Sequence, residues 1–212
     1  MSRTKTSSAR LPPPLELSTF LLEPTAPLDW HRVFGNDNPV EVEVGCGKGL
    51  FLISAATQFP KRNFFGIELA AKFAQFTAAQ LAKHSLTNAR VARADARRVA
   101  TERIADSSVA ALHVYFPDPW WKRRHKKRRI FTDSFLTQVV RVLKPGGELR
   151  LATDVPDYFD EISRRIAAQS GLIPAPFQPD QPQQQDTDYL TNFERKYLKA
   201  GKSVFRACFI KG

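Results

Sequence analysis

The sequence predicts an α/β fold, a mostly parallel doubly wound sheet closed by a final antiparallel strand. Three observations carry the prediction. From residue 39 onward, short apolar runs alternate with helical patterns, as in a sheet covered by helices on both faces. A glycine turn, Gly45-Cys46-Gly47-Lys48-Gly49, stands between the first run and the first helix, where such folds bring backbone close to a ligand. Acids close the successive runs: Glu68, Asp95, Asp118 and Asp154. The 212 residues, 42% hydrophobic, suit one domain with a sizeable core, placed at 16–212 behind an arm at 1–15.

The arm is basic and Pro-rich. It carries Arg3, Lys5 and Arg10, no acid, and Pro12-Pro13-Pro14, and so lacks the apolar surface needed to order itself. A transit peptide shares the acid-free composition, but the prolines would interrupt its amphipathic helix. Val40 to Val44 reads as the first strand, Leu50 to Gln58 as a helix and Asn63 to Ile67 as the second strand. Ala70 to Leu86 combines high helix propensity with recurring Phe73, Phe76 and Leu81, which makes it the clearest helix. Ala89 to Ala94 reads as a third strand, Ala96 to Ala105 as a short helix, and Val109 to Phe116 as a strand that delivers Asp118. Thr132 caps a helix through Leu143, which Lys144-Pro145-Gly146-Gly147 stops before the strand Glu148 to Ala152, with Asp154 closing its end. Asp157 to Gln169 is helical, Ile173 to Gln185 an irregular Pro- and Gln-rich loop, Leu190 to Lys199 helical, and Ser203 to Ile210 the final strand.

The glycine turn lacks the Gly-Lys-[Ser/Thr] ending of a nucleotide-hydrolase loop and is not Gly-x-Gly-x-x-Gly. Its pattern is Gly45-x-Gly47-x-Gly49 with Glu43 two residues ahead. A carboxylate there repels a pyrophosphate and pairs with an ammonium. Glu68 lies 21 residues after Gly47, where doubly wound folds place an acid on ribose hydroxyls. Asp95 is placed to bound an adenine and equally to cap the helix from Ala96, and both roles can hold together. Together these acids point to S-adenosylmethionine in the crevice at the topological switch point.

Phe116-Pro117-Asp118-Pro119-Trp120-Trp121 is followed by Lys122-Arg123-Arg124-His125-Lys126-Lys127-Arg128-Arg129. The second segment supplies seven of the positive charges behind a formal net charge of +11. Such a concentrated cationic face suits phosphate backbones, and it lacks the apolar periodicity of a membrane-surface helix. Trp120 and Trp121 stack on a base or anchor the loop in the core. Asp154 shares the edge with Asp118, with helix capping as its alternative. Thr191-Asn192-Phe193-Glu194 has the form of a capping box.

Two cysteines without Cys-x-x-Cys spacing and four scattered histidines argue against a disulfide framework and a metal site. The cysteine usage fits a reducing cytoplasm. No apolar run approaches the roughly 18 residues of a membrane span.

On Phe116-Pro117-Asp118-Pro119-Trp120 with Lys122 and the basic run, Glu43 to Gly49, Gly66-Ile67-Glu68 and Thr191-x-Phe193-Glu194, the chain resembles the bacterial tRNA (guanine-N7-)-methyltransferases. The resemblance spans roughly residues 39 to 212. It implies a Rossmann-like class I methyltransferase fold and methyl transfer from S-adenosylmethionine to guanine N7 in the tRNA variable loop, conventionally position 46. Another RNA substrate and a non-catalytic RNA-binding module are the alternatives. By this resemblance Asp118 is catalytic, and Glu43, Gly45, Gly47, Gly49, Glu68, Asp95 and Asp118 bind the cofactor. Lys122, Asp154, Thr191, Asn192, Phe193 and Glu194 hold the substrate. The basic run is assigned to the RNA backbone through Arg123, Arg124, Lys126, Lys127, Arg128 and Arg129. A cytoplasmic monomer or homodimer is expected, with tRNA as partner and no membrane, metal or obligate protein partner.

Overall fold

The computed structural model describes residues 27–169, 171–177, 200–201 and 203–212, together with the short strand at 15–16. Eight strands form one sheet among these residues: β1 (Leu15–Glu16), β2 (Val40–Val44), β3 (Asn63–Glu68), β4 (Ala89–Arg93), β5 (Val109–Tyr115), β6 (Leu143–Thr153), β7 (Leu172–Ala175) and β8 (Phe205–Lys211). Their order is β1-β4-β3-β2-β5-β6-β8-β7. β1 to β6 pair in parallel, and β8 runs antiparallel between β6 and β7. Six α-helices are described: α1 (Trp30–Phe34), α2 (Leu50–Gln58), α3 (Ala71–Lys83), α4 (Ala96–Glu102), α5 (Asp133–Val142) and α6 (Pro156–Ala167).

The continuous apolar runs predicted central strands because both faces are covered, and the burial follows. On one face α2 and α3 bring Phe51, Leu52, Ala74 and Leu81 onto Phe64, Val91 and Tyr115. On the other, α1, α4, α5 and α6 bury Phe34, Val99, Leu136, Val139, Ile162 and Ile166 against Val42, Val44, Ile67, Leu112 and Leu149. Burying one such side chain stabilises the fold by roughly 1.5–3 kcal/mol.

Three expectations differ from the structure. In α3 the buried stripe is Ala74, Thr77 and Leu81, whereas Phe73 and Phe76 stay exposed. Small residues face the sheet because the helix lies close to the glycine turn, where Thr77 makes a hydrogen bond. The predicted stop at Lys144–Gly147 lies inside β6, as an irregularity where the register on β5 jumps from Leu143 to Glu148. Part of the predicted irregular loop is strand β7, whose pairing with the distant β8 supplies what local composition did not. Next to the expected boundary at residue 15, the short strand β1 pairs with β4. Thr132 does cap α5, accepting the Phe135 amide at 3.2 Å. The helix predicted at 190–199 and the arm at 1–14 lie outside the described residues. Among the described residues no helix is long and apolar enough to cross a membrane.

Candidate active site at the sheet switch point

The sheet order turns between β2 and β5, which pair in parallel with Val44 opposite Val114. The turn leaving β2 and the loop leaving β5 therefore open side by side at the carboxyl edge, where doubly wound folds bind ligands.

Gly45, Gly47 and Gly49 all adopt positive φ, at 75°, 54° and 73°, a region costly for residues with a Cβ. Their surroundings separate their roles. A Cβ on Gly49 would sit 2.4 Å from Thr77 Cγ2, whereas one on Gly45 would meet nothing within 4 Å. Gly49 serves packing and Gly45 presents open backbone. Glu68 ties the turn to α3: Gly47 N donates to Oε2 at 2.9 Å and Ala70 N to Oε1 at 2.8 Å. Thr77 Oγ1 donates to the Gly47 carbonyl at 2.9 Å.

Two acids on β2 sit on the same face in contrasting environments. Glu41 accepts from Arg62 at 2.9 Å and lies 2.8 Å from His113 Nε2, and His113 Nδ1 is 2.9 Å from the Tyr115 hydroxyl. Burial works to raise the Glu41 carboxyl, and the bonds and charges of His113 and Arg62 outweigh it, so the carboxyl is lowered. Glu43 is 2% exposed, and its Oε2 finds no partner. Burial, with the charge of Glu68 added, drives this carboxyl well above the usual carboxylate range.

These residues fit S-adenosylmethionine on their own chemistry. An unpaired buried acid behind exposed glycine backbone suits an ammonium group, whose arrival supplies the missing partner. Glu68 is bonded once through each oxygen, and a carboxylate has about four acceptor positions, so it keeps capacity for a ribose diol. Asp95 is the N-cap of α4, accepting Arg97 N at 2.9 Å and the Arg97 guanidinium at 2.8 and 3.2 Å. The Arg97 hydrogen bond lowers its carboxyl. The capping alternative is therefore realised at Asp95.

Asp118 is exposed and lines an open cleft of about 400 Å³ with Pro119, Trp120, Trp121, Lys122 and His125. The loop that carries it has Phe116 and Trp120 at φ 49° and 43°, a conformation costing bulky residues of order 1–3 kcal/mol each. Trp120 meets His125 edge to face at 5.7 Å and lies under Arg128 at 5.1 Å. Trp121 is 64% exposed, so it does not anchor the loop in the core.

The basic run folds into a short 3-10 helix, Arg123–Arg128, with no buried residue. Lys122, Arg123, Arg124, Lys126, Lys127 and Arg128 are exposed. Arg129 is set apart from them. It is 7% exposed, donates Nε to the Pro119 carbonyl at 2.7 Å and pairs with Glu161. Asp154 follows β6, but the N-cap of α6 is Val155, with no side-chain cap bond, so Asp154 is not that helix's cap. Thr191, Asn192, Phe193 and Glu194 lie outside the described residues.

Several contributors escaped the sequence reading. Thr77 and Glu161 meet their partners only through tertiary structure, and no local pattern marks them. His125 was legible, as the imidazole embedded in a cationic run beside Trp120. Among the described residues no three His, Cys, Asp or Glu side chains gather as a metal site.

A family profile described as Putative methyltransferase matches residues 37–207. The tRNA (guanine-N(7)-)-methyltransferase of Rhodopirellula baltica is 41% identical over 210 residues, covering 94% of this chain and 77% of the relative. The protein of the same name from Geobacter metallireducens is 34% identical over 192 residues, covering 89% and 90%. Among solved structures, the 16S rRNA methyltransferase KamB superposes with a TM-score of 0.64 at 20% identity, covering 86% of this chain and 92% of that one. The aminoglycoside resistance methyltransferase NpmB1 gives 0.61 at 18%, again covering 86% and 92%. At these identities the likeness to KamB and NpmB1 speaks for the α/β class I methyltransferase fold.

Proposed function

Because this chain belongs to the S-adenosylmethionine-dependent tRNA (guanine-N(7)-)-methyltransferase family, we propose that it methylates N7 of a guanine in the tRNA variable loop, the base conventionally numbered 46, with Asp118 at the reacting base. One observation carries the reading. The glycine turn and the Asp118 cleft leave neighbouring parallel strands at the switch point, so a cofactor on the first would lie beside a base in the second.

S-adenosylmethionine supplies a sulfonium-bound methyl group. Guanine N7 already has a free lone pair at neutral pH, so the chain's task is alignment, which can contribute roughly 7–11 kcal/mol in well-oriented systems. Glu43 would hold the ammonium end, open backbone at Gly45 and Gly47 would border it, and Glu68 would take the ribose. Asp95, while capping α4, would bound the adenine side. Methylation makes the base cationic, so the exposed Asp118 carboxylate stabilises the transition state more than the neutral substrate. Lys122, Asp154 and the segment Thr191 to Glu194 hold the nucleotide. Arg123, Arg124, Lys126, Lys127 and Arg128 meet the phosphate backbone, and Trp120 offers a ring to the base. All these groups come from one chain, so the reading needs no second protein, and the mass of the tRNA complex measured in solution checks this.

The test is to incubate the protein with methyl-labelled S-adenosylmethionine and tRNA, then digest to nucleosides. Label in N7-methylguanosine is expected. Label in another nucleoside, or transfer to ribosomal RNA but not tRNA, would overturn the reading.

A further inference from the structure

We propose that Arg129 is a positioning residue for methyl transfer, a buried clasp that fixes the Asp118 loop to α6 rather than a phosphate contact. The inference rests on the function proposed above. It begins with the position of the Pro119 carbonyl, one residue past Asp118 and one before Trp120. Arg129 Nε donates to that carbonyl at 2.7 Å, and its Nη1 donates to Glu161 Oε2. The guanidinium lies over the Tyr158 ring, 4.6 Å from its centroid. The clasp continues on the far side, where Arg165 Nε donates to Glu161 Oε1 at 3.4 Å and Arg165 Nη1 to Asp133 at 2.8 Å. Asp133 opens α5, four residues after Arg129. The chain thus leaves the Asp118 loop, passes through the cationic helix and returns through Arg129 to grip the loop's own carbonyl.

The grip has something to hold. Phe116 and Trp120 bracket Pro117-Asp118-Pro119 in left-handed conformations, which persist only where the surroundings over-determine them. A guanidinium fork can bind a carbonyl and a carboxylate together while stacked on a ring, and a lysine ammonium does not reproduce that geometry. Burial also separates Arg129 from its neighbours: Arg123 to Arg128 include no buried residue, whereas Arg129 is 7% exposed and already paired.

The experiment compares Arg129→Gln, Arg129→Lys and Glu161→Gln in steady-state methylation of tRNA and in tRNA binding across salt concentrations. The emission of Trp120 is followed separately in a Trp30→Phe, Trp121→Phe background used only for fluorescence. Both Arg129 variants should lose about 10²-fold in kcat, the loss expected for a misplacement near 1 Å. Their KM for tRNA and the slope of log K against log salt should stay unchanged, and Trp120 emission should shift. Glu161→Gln should move kcat and emission in the same direction by a smaller factor. A salt slope shallower by about 0.9 in Arg129→Gln would make Arg129 a phosphate contact. Full activity in folded Arg129→Gln, or full rescue by lysine, would equally sink the proposal. Should Arg129→Gln fail to fold, unchanged kcat and emission in Glu161→Gln would overturn it. If the wild type made no N7-methylguanosine, the function would fall, and the Trp120 emission would still decide the clasp.

Discussion

Replacing Glu43 by glutamine probes the buried acid of the cofactor side with almost no change in shape. In the folded protein this carboxyl is held well above the usual range by burial and by Glu68. In the unfolded chain it titrates near the ordinary glutamate value, about 4.3. Between the two values the folded state binds one more proton, so stability falls as pH rises through that window. A one-proton difference gives a slope of at most about 1.4 kcal/mol per pH unit. Glu41, Asp95 and Glu161 have lowered carboxyls, so their contributions are lost on acidification and are flat above about pH 5. The Cys46 thiol is pushed up by burial, then by Glu43 and Glu68, and it acts only in alkali. Subtracting wild type from Glu43→Gln isolates the single group. From pH 5.5 to 7.5 the variant should gain up to about 2.7 kcal/mol relative to wild type, read from urea midpoints at constant m-value. Parallel curves for the two proteins would refute the reasoning. Calorimetric titration with S-adenosylmethionine in buffers of different ionisation enthalpy should show proton release in wild type and none in Glu43→Gln.

Asp118→Ala should lose about 10²–10³-fold in kcat, the cost of removing one preorganised electrostatic partner, while tRNA affinity measured by filter binding stays within a factor of a few. Neutralising Arg123 or Lys127, both exposed in the cationic helix, should weaken tRNA binding and flatten its salt dependence by about 0.9 for each phosphate no longer neutralised. Gly66→Ala would drive a Cβ to 2.4 Å from Leu52 Cδ1 and 2.9 Å from Cys46 Sγ, an overpacking that costs about 1–3 kcal/mol. Adding Leu52→Ala should cost less than the sum of the two single changes, because the methyl that clashes is removed. Thermal denaturation of the four proteins checks this.

Much of the fold was legible because its signals are local. The extents of β2 and α2 follow from a pentapeptide of alternating valine and glutamate, a glycine turn and nine residues of helical spacing. The Thr132 cap follows from hydroxyl chemistry at a helix start. The 21-residue interval between Gly47 and Glu68 proved to be a direct hydrogen bond. The differences arise where partners are remote. Nothing around Leu172 announces a strand, because its pairing depends on Lys211. Phe73 and Phe76 carry the hydrophobicity of α3, but space next to the glycine turn admits only Ala74 and Thr77 on the buried side. At the site, residue type marked the acids, yet only the tertiary partners distinguish Glu43 from Glu41, and burial distinguishes Arg129 from Arg128. Those distinctions come from packing.

The insertion of β8 between β6 and β7 bears on how the protein is made. β7 has β8 as its strand partner, and the side of β6 away from β5 is also taken by β8. On a ribosome, β6 and β7 both emerge before the strand that joins them. Until Phe205–Lys211 is synthesised, β6 presents a bare row of amides and carbonyls, the kind of edge that recruits foreign strands. Pro174 at the centre of β7 lacks an amide proton, and this limits that strand as a template for mispairing. The methyltransferase sheet therefore closes late, and chaperone demand should fall on nascent chains that have passed β6 but not yet reached β8.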